Sequence, residues 1–352
     1  MNLTISRPAQ FSTAPSPGPR LAPIERLPKW LLCVPLVLHW FALAARHRSL
    51  TLPSCANPAI PSGGLAGESK LACLALIRPD HAAWVAPTAM VRPGTDAEAE
   101  RRRAGLAFPL VAKPDVGWCG YGVRRVDDAA ALDAYARAFP REAAFLLQPF
   151  ITGPMEAGLM YRRQPGAPRG ELVAVTLRHA PAVLGDGRRS IAALAAADPR
   201  LRGRTLPSAA RVPVRGERVG LSTVASLRAG ARYEAAPFLI TPALAARVDA
   251  IARGMGEFHA GRFDVRFASM ADLRAGRFTI IEVNGVGAES IDAWDPQLGL
   301  LAAFARVFAN HRAVFALGAA MRARGRRPVG WRGLSAAWLR QQRLTRRYPV
   351  SN

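Results

Sequence analysis

The sequence contains little lysine. Only Lys29, Lys70 and Lys113 are lysines among 48 basic residues, and with 25 acidic residues the formal net charge is +23. Such a charge is typical of nucleic-acid-binding proteins. Arginine, however, replaces lysine throughout an alanine-rich chain, which indicates a coding bias that scatters positive charge and does not build a patch. We therefore expect a general attraction to acidic partners but no specific nucleic-acid partner.

Cysteine is also scarce. The four cysteines, Cys33, Cys55, Cys73 and Cys119, are widely separated, and no Cys-x-x-Cys pair occurs. This spacing suggests neither a zinc site nor a disulfide framework, and it favours a reduced, cytoplasmic setting. No repeat of fixed period is visible.

The scarcity of lysine makes the remaining lysines informative. A lysine that persists where arginine is preferred marks a position where a compact ammonium group matters and a planar guanidinium would not fit. Lys70 ends the glycine-rich segment 63–70, and Lys113 lies in the segment 111–115, which reads VAKPD. With only three lysines, chance is the alternative explanation.

The chain is long enough for two or three lobes. Short β-type runs, glycine turns and amphipathic helices in its central part predict an α+β fold. The predicted parts are a flexible Pro-rich tail (1–25), an N-terminal region with an apolar helix and a glycine-rich loop (26–104), a small subdomain (about 105–150), a large subdomain (about 151–320) and a basic C-terminal tail (321–352).

The longest apolar stretch, residues 30–45, precedes the glycine-rich segment. It is shorter than the roughly 20 residues needed to cross a bilayer, and a proline interrupts it. We predict a buried helix. Peripheral membrane contact is the second interpretation, because residues that suit the headgroup boundary lie along it and at its ends, namely Lys29, Trp30, Trp40 and Arg46. A transmembrane span is the third.

Two neighbouring segments carry acidic residues among apolar ones. Glu282 interrupts the apolar run 278–283, and a buried carboxylate is costly unless a metal ion or a cation accompanies it. Glu282 and Asn284 point to the same face of a strand, and antiparallel pairing with residues 262–267 would bring Asp264 beside Glu282. Such oxygen ligands suit Mg²⁺. For any one residue a salt bridge to arginine is the alternative, whereas the set favours a metal.

A glycine-rich loop, residues 117–122, separates two predicted strands at 108–112 and 122–126. Its amides could fold over phosphates because no side chain blocks the approach, and Lys113 could neutralise phosphate oxygens. The pattern is neither a Walker A loop nor a Rossmann fingerprint, since no helix follows directly. Many hairpins contain a similar loop, so this pattern alone is weak.

Together these segments resemble the ATP-grasp superfamily over about residues 105 to 310. Residues 108–114 with the glycine loop resemble its small ATP-clamping subdomain, and residues 146–153 resemble the hinge strand that reads adenine. Residues 262–264 and 281–284 resemble its two magnesium-binding strands. The segment 183–191 is similar to the ATP-grasp lobes of cyanophycin synthetase and glutathione-forming ligases, and D-alanine–D-alanine ligase is a further similar enzyme.

The resemblance implies a fold of two α+β lobes that clamp ATP, preceded by an atypical, partly helical N-terminal region. It also implies an ATP-dependent carboxylate–amine ligase. ATP would phosphorylate a carboxylate, and an amine would attack the acyl phosphate to give an amide. The implied cofactors are ATP and two Mg²⁺ ions, for which Mn²⁺ can substitute, and the implied partners are small-molecule or peptide carboxylates and amines.

The site residues follow from the same resemblance. Arg262 and Lys113 are the implied catalytic residues, and the implied metal ligands are Asp264, Glu282 and Asn284. The implied nucleotide-binding residues are Lys70, Lys113, Gly117, Gly120, Gly122, Gln148, Phe150, Ile151 and Glu156. Candidates for binding the acceptor are Arg178, Arg228 and Glu289.

The sequence departs from the family in two places. Residues 1–100 do not alternate strands and helices as the family's first lobe does, and the segment 284–290 lacks the proline common in D-alanine ligases. We therefore expect a different acceptor pocket. Two alternatives stay open: an ATP-grasp phosphotransferase with a non-amine acceptor, and a binding protein associated with membranes or nucleic acid through residues 30–45 and the basic tail.

Overall fold

The computed structural model describes residues 20–202 and 208–351. Residues 1–19, most of the predicted flexible tail, lie outside the described residues. The end of that predicted tail is ordered against the rest of the chain. Ala22 and Ile24 are buried, and Glu25 forms an ion pair with Arg200 at 2.7 Å. The flexible tail therefore does not extend to residues 20–25.

The described residues form eleven strands and nine α-helices. The strands are β1 (Ala89–Val91), β2 (Leu110–Pro114), β3 (Arg124–Val126), β4 (Phe145–Pro149), β5 (Met155–Arg162), β6 (Glu171–His179), β7 (Ala182–Leu184), β8 (Arg218–Gly220), β9 (Arg232–Ala235), β10 (Ala260–Phe267) and β11 (Thr279–Asn284). The α-helices are α1 (Lys29–His47), α2 (Lys70–Ala75), α3 (Ala97–Arg103), α4 (Ala129–Ala138), α5 (Ile191–Ala196), α6 (Pro242–Gly254), α7 (Met270–Arg274), α8 (Leu300–Ala323) and α9 (Trp331–Thr345).

The small lobe is an antiparallel sheet in the order β1-β4-β2-β3, packed against α3 and α4. Helix α4 begins after Asp128 because that side chain accepts a hydrogen bond from the Ala131 amide. Its Leu132 and Tyr135 are fully buried in the core of this lobe. Since β1 pairs with β4, the small lobe takes in residues upstream of 105, where the sequence placed its start.

The large lobe is a second antiparallel sheet, in the order β11-β10-β5-β6-β9. Helix α6 packs its apolar face, Leu244, Val248 and Ile251, on this sheet in one core with Phe263 and Val265. β7 and β8 form a separate two-stranded sheet that packs with α5. The predicted α+β fold class is confirmed by these mixed elements and antiparallel sheets.

Helix α1 corrects the prediction for residues 30–45. A helix forms there, but the prediction that it is buried is wrong: Ala44 is its one buried residue among those described, and Trp30 is 69% exposed. Trp40 packs on Phe315 of α8, which fixes one face of α1 to the large lobe and leaves the opposite face in solvent.

The predicted basic C-terminal tail contains helix α9 and then runs back to the small lobe. The Tyr348 ring stacks on Phe139 with centroids 5.1 Å apart, and its hydroxyl donates to the Val116 carbonyl at 2.6 Å. The sequence pattern did not predict this helix, because it lies in a strongly basic tail that was interpreted as a whole, and single apolar positions such as Leu344 were not weighed.

Candidate active site between the two lobes

Strands β10 and β11 bring the predicted metal ligands together. Their antiparallel register places Asp264 opposite Glu282 and Arg262 opposite Asn284. The predicted juxtaposition of Asp264 and Glu282 is therefore confirmed. Both strands line a cleft of about 240 Å³, whose other wall includes the glycine loop of the small lobe.

Asp264 is held by two arginines. Arg262 donates from Nε to Asp264 at 2.6 Å, and Arg178 Nη1 lies 2.8 Å from the same carboxylate. Burial opposes ionisation of Asp264, but Arg262 and Arg178 outweigh it and keep the pKa of this carboxyl below its usual range. The salt bridge that the sequence left as an alternative therefore forms at this residue.

Glu282 is the acidic residue of the strand pair that is more open to the cleft. Its side chain is 23% exposed, against 4% for Asp264, and its nearest cation is Lys70, with Nζ at 3.7 Å from the carboxylate. Lys70 begins helix α2 and also donates to the Gly117 carbonyl at 2.6 Å. Lys70 therefore connects Glu282 of the strand pair with the backbone of the glycine loop.

Lys113 lies at the bottom of the site. It is 5% exposed, and its Nζ donates to the Ile281 carbonyl at 2.7 Å, one residue before Glu282. Burial lowers the pKa of Lys113 to about 8, against the opposing effect of the Glu282 carboxylate. A buried ammonium this close to an open cleft is suited to an anionic ligand such as a phosphate.

The glycine loop covers the cleft from the small lobe. Gly120 and Gly122 have positive φ values of 71° and 70°, where side chains are strained. A Cβ on Gly120 would overlap the Val224 side chain, and one on Gly122 would lie 2.8 Å from Pro114. Gly117 has no such requirement for φ, and its carbonyl serves as the acceptor for Lys70.

The predicted hinge residues line a second cavity of about 110 Å³, which shares Glu282 with the main cleft. Gln148 donates to Thr88 at 2.7 Å, and the Phe150 ring receives the guanidinium of Arg125 at 4.7 Å. The lining residues include Gln148, Phe150, Ile151 and Glu156. Burial raises the pKa of Glu156, although Arg178 lies at 3.0 Å.

The three predicted acceptor-binding residues have different surroundings. Arg178 is surrounded by protein acceptors, because it also donates to the Ala225 carbonyl at 2.7 and 2.9 Å. Arg228 holds the glycine loop through the Cys119 and Gly120 carbonyls. Glu289 lines the cleft, and its backbone carbonyl accepts from Arg262. Burial raises the pKa of the Glu289 carboxyl, against the opposing effect of Arg262.

The sequence missed how the segment before Lys70 reaches the site. Asn57 is fully buried and donates to the Ala260 carbonyl at 2.7 Å, while its Oδ1 accepts from the His259 amide at 2.8 Å. Gly64 lies against Gly285, where a Cβ would come within 2.5 Å of its Cα. These contacts join residues more than 200 positions apart, and they carry Glu68 and Lys70 into the cleft.

The C-terminal segment also contributes to the site. Gln341 of α9 lines the cleft and accepts a hydrogen bond from the Gly67 amide at 2.8 Å. Ser351 donates to the Gly120 carbonyl at 2.7 Å and accepts from Arg228 at 2.9 Å. No motif in the sequence pointed to these residues, since single Gln and Ser positions carry no recognisable pattern.

The donor set of the strand pair fits a magnesium ion by its chemistry. Asp264, Glu282 and Asn284 offer only oxygen ligands of the type that Mg²⁺ prefers, and all three line the cleft. Within residues 20–202 and 208–351, no three His, Cys, Asp or Glu side chains are already clustered for a metal. The fit therefore centres on Glu282 and Asn284, with Asp264 bound to its arginines.

No family model matches the chain, and no curated protein does. Among solved structures, the chain is similar to a bifunctional glutathione synthetase from Pasteurella multocida, with 17% identity, 61% of this chain and 32% of that one covered, and a TM-score of 0.33. It thus spans about a third of that protein's length.

Two further solved structures are similar to this chain. D-alanine–D-alanine ligase from Bacillus anthracis matches at 14% identity, over 73% of this chain and 68% of that one, with a TM-score of 0.42. VanG D-Ala:D-Ser ligase from Enterococcus faecalis matches at 17% identity, over 70% and 61%, with a TM-score of 0.40.

Proposed function

We propose that this chain is an ATP-dependent ligase that activates a carboxylate as an acyl phosphate and joins it to an amine. The observation that carries the proposal is that Lys70 and Lys113 line two cavities that share Glu282, beside the glycine loop. Two ammonium groups and a set of loop amides offer what a polyphosphate needs, and the paired strands offer oxygen ligands for its counter-ion.

The nucleotide would lie across the two connected cavities. The smaller cavity, lined by Phe150 and Ile151, suits the base, and the main cleft suits the phosphates. Lys70 and Lys113 would bind phosphate oxygens, because Lys70 Nζ lies 3.7 Å from the Glu282 carboxylate and Lys113 Nζ binds the adjacent Ile281 carbonyl, so both ammonium groups lie beside the same strand. A magnesium ion held by Glu282, Asn284 and Asp264 would offset negative charge on the phosphates.

Arg262 would stabilise the group that is transferred. Asp264 orients its guanidinium, and the pKa of Arg262, which burial lowers, is raised above its usual value by Asp264, so the charge persists in the dry cleft. In the first step a carboxylate oxygen bonds to the γ-phosphorus while the bond to the ADP oxygen breaks. In the second step an amine nitrogen bonds to the acyl carbon, inorganic phosphate leaves with the bonding electron pair, and the amine loses a proton.

A phosphate-release screen tests this proposal. Purified full-length protein with Mg-ATP is combined with pairs of carboxylates and amines, including amino acids, polyamines and short peptides. We expect release that depends on a particular pair, and a loss of about 100-fold or more in Glu282→Gln. The matched control is Glu171→Gln, an exposed glutamate at the end of β6 that should keep full activity.

Three outcomes would contradict parts of the proposal. Phosphate release that is the same for all carboxylate–amine pairs would exclude the ligase reaction. Wild-type ATP turnover in Glu282→Gln would exclude Glu282 as a metal ligand. A stable phosphorylated product without amide, or formation of AMP, would favour the phosphotransferase alternative.

A further inference from the structure

Helix α1 exposes a continuous apolar stripe. The large side chains of Trp30, Val34, Val37, Leu38 and Phe41 are between 47% and 69% exposed. They recur at the spacing of one helix face, and the stripe is roughly 16 Å long at the rise of an α-helix. Isolated exposed apolar residues are ordinary on soluble proteins, but a contiguous stripe of large ones marks an interaction surface.

The opposite face of α1 is fixed to the large lobe. Trp40 packs edge-on against Phe315 of α8, and His39 stacks on Phe308 at 4.3 Å. Trp40 also donates to the Leu50 carbonyl at 3.1 Å. Two helices of the described chain, α1 and α8, are long and apolar enough to cross a bilayer. A helix held along one face by protein is positioned to lie on a surface instead.

The charge around the stripe has one sign. No acidic residue occurs between Glu25 and Glu68 in the sequence, and Glu25 itself is paired with Arg200. Exposed basic residues lie at both ends of α1, namely Arg26, Lys29, Arg46 and Arg48. An apolar face between cationic ends is the pattern of a helix that binds an anionic lipid surface.

We propose that α1 docks this chain in the plane of an anionic membrane. The stripe from Trp30 to Phe41 would enter the boundary between headgroups and acyl chains, and the basic ends would contact lipid phosphates. Charge decides against a second copy of the chain as the occupant. Two molecules of net charge +23 repel each other, whereas an anionic bilayer attracts each of them.

Vesicle flotation of the full-length protein tests the proposal. We expect binding to phosphatidylcholine vesicles that contain phosphatidylglycerol, little binding to phosphatidylcholine alone, and weaker binding at high salt. Replacing Trp30, Leu38 and Phe41 together with serine should weaken partitioning more than about tenfold. The matched control replaces Leu184 and Val214 with serine. These residues are 64% and 68% exposed, but Leu184 lies in β7 and Val214 just before β8, outside α1.

A second measurement uses the wild-type helix. Cys33 is an exposed cysteine on α1, so an environment-sensitive fluorophore can be attached to it in a Cys119→Ser background, which removes the other exposed cysteine of the described residues. Anionic vesicles should shift its emission to the blue. No shift and no flotation would overturn the proposal, as would unchanged flotation of the triple variant. A dimer in sedimentation that the triple variant dissociates, without vesicle binding, would assign the stripe to self-association.

Discussion

At the scale of single residues, Lys113 carries a charge that the protein buries at a cost. Burial is the main cause of its lowered pKa, and the nearby carboxylates only partly compensate. A group whose pKa is lowered in this way prefers water to its site in the unliganded protein. Such strain is expected where a side chain serves a ligand and not the fold.

Replacing Lys113 with methionine should therefore have opposite effects on stability and binding. Methionine fills a similar space without a buried charge, and the Ile281 carbonyl keeps Gln148 as a donor at 3.3 Å. We expect the free energy of unfolding of the unliganded protein to rise by about 1 kcal/mol. Nucleotide affinity should fall about 10- to 100-fold. Urea unfolding and calorimetric titration measure the two quantities.

The exposed Lys29 provides the control for this substitution. Lys29→Met should change neither the stability nor the nucleotide affinity appreciably. A Lys113→Met variant that is clearly destabilised would show that the ammonium is structural, and one that binds nucleotide normally would remove Lys113 from the site.

Some of the site can be predicted from residues alone. Asp264 and Glu282 are predictable as neighbours, because each lies at a polar position of an apolar run and a short connection joins the two strands. The structural role of Asn57 is not predictable. This side chain forms four hydrogen bonds with Gly63, His259 and Ala260, and only the folded chain brings these residues together. The ion pairs of Asp264 with Arg178 and Arg262 also depend on how the strands align in the sheet, and no local sequence pattern determines that alignment.

At the scale of elements, the glycine loop depends on the C-terminal segment. Tyr348 donates to the Val116 carbonyl just before the loop, and Ser351 and Arg228 both donate to the Gly120 carbonyl within it. A loop with three glycines is intrinsically mobile. These contacts reduce the entropy that a bound nucleotide would otherwise have to remove.

Tyr348→Phe should therefore weaken nucleotide binding more than it changes the chemical step. The variant keeps the ring stacked on Phe139 but loses the hydrogen bond to Val116. A loss of about 1 kcal/mol corresponds to a KM for ATP raised roughly fivefold, with kcat changed little. Steady-state kinetics on the full-length protein measure both, and Val350→Ala, at an 86% exposed position of the same segment, is the control. A fall in kcat with unchanged KM would contradict a positioning role.

The contact between α1 and α8 should respond to pH. His39 and His311 face each other with their Nδ1 atoms 3.3 Å apart. Burial, with some contribution from His39, lowers the pKa of His311 to about 4, and burial together with Arg312 lowers that of His39. Between pH 4 and 6.5 the unfolded chain then binds more protons than the folded one.

The free energy of unfolding should consequently decrease as the pH falls through that window, and it should level off below it. His311→Gln removes one titrating group and should reduce the dependence of stability on pH, whereas His47→Gln, at the end of α1, should leave most of it. Chemical denaturation across the pH range measures this. A wild-type slope that His311→Gln does not reduce would exclude the histidine pair as its origin.

The elements differ in how well sequence predicts them. Helices α4 and α6 are predictable, since an N-cap and a regular apolar face define each of them. The exposure of α1 is not predictable, because an apolar run has the same composition whether it faces a core or a membrane. Helix α9 is not predictable, because it lies in a basic tail and only a few of its residues, such as Leu344, are buried.

At the scale of the whole molecule, two antiparallel sheets enclose one cleft, and segments before and after the sheets in the sequence also line it. The segment before α2 closes the cleft beside β11, and the segment after α9 closes it beside the glycine loop. A strongly cationic molecule thereby places two of its three lysines, Lys70 and Lys113, at a site that also holds acidic residues. Such a site is suited to a polyanion accompanied by a divalent cation.

The most direct test of the proposed Mg-ATP site is calorimetric titration of the full-length protein with a non-hydrolysable ATP analogue in the presence of Mg²⁺. We expect one binding site per chain, and we expect the affinity for the analogue to fall at least about tenfold in Glu282→Gln. Absence of binding, or an affinity that Glu282→Gln leaves unchanged, would contradict the assignment of the cleft between the lobes as a Mg-ATP site.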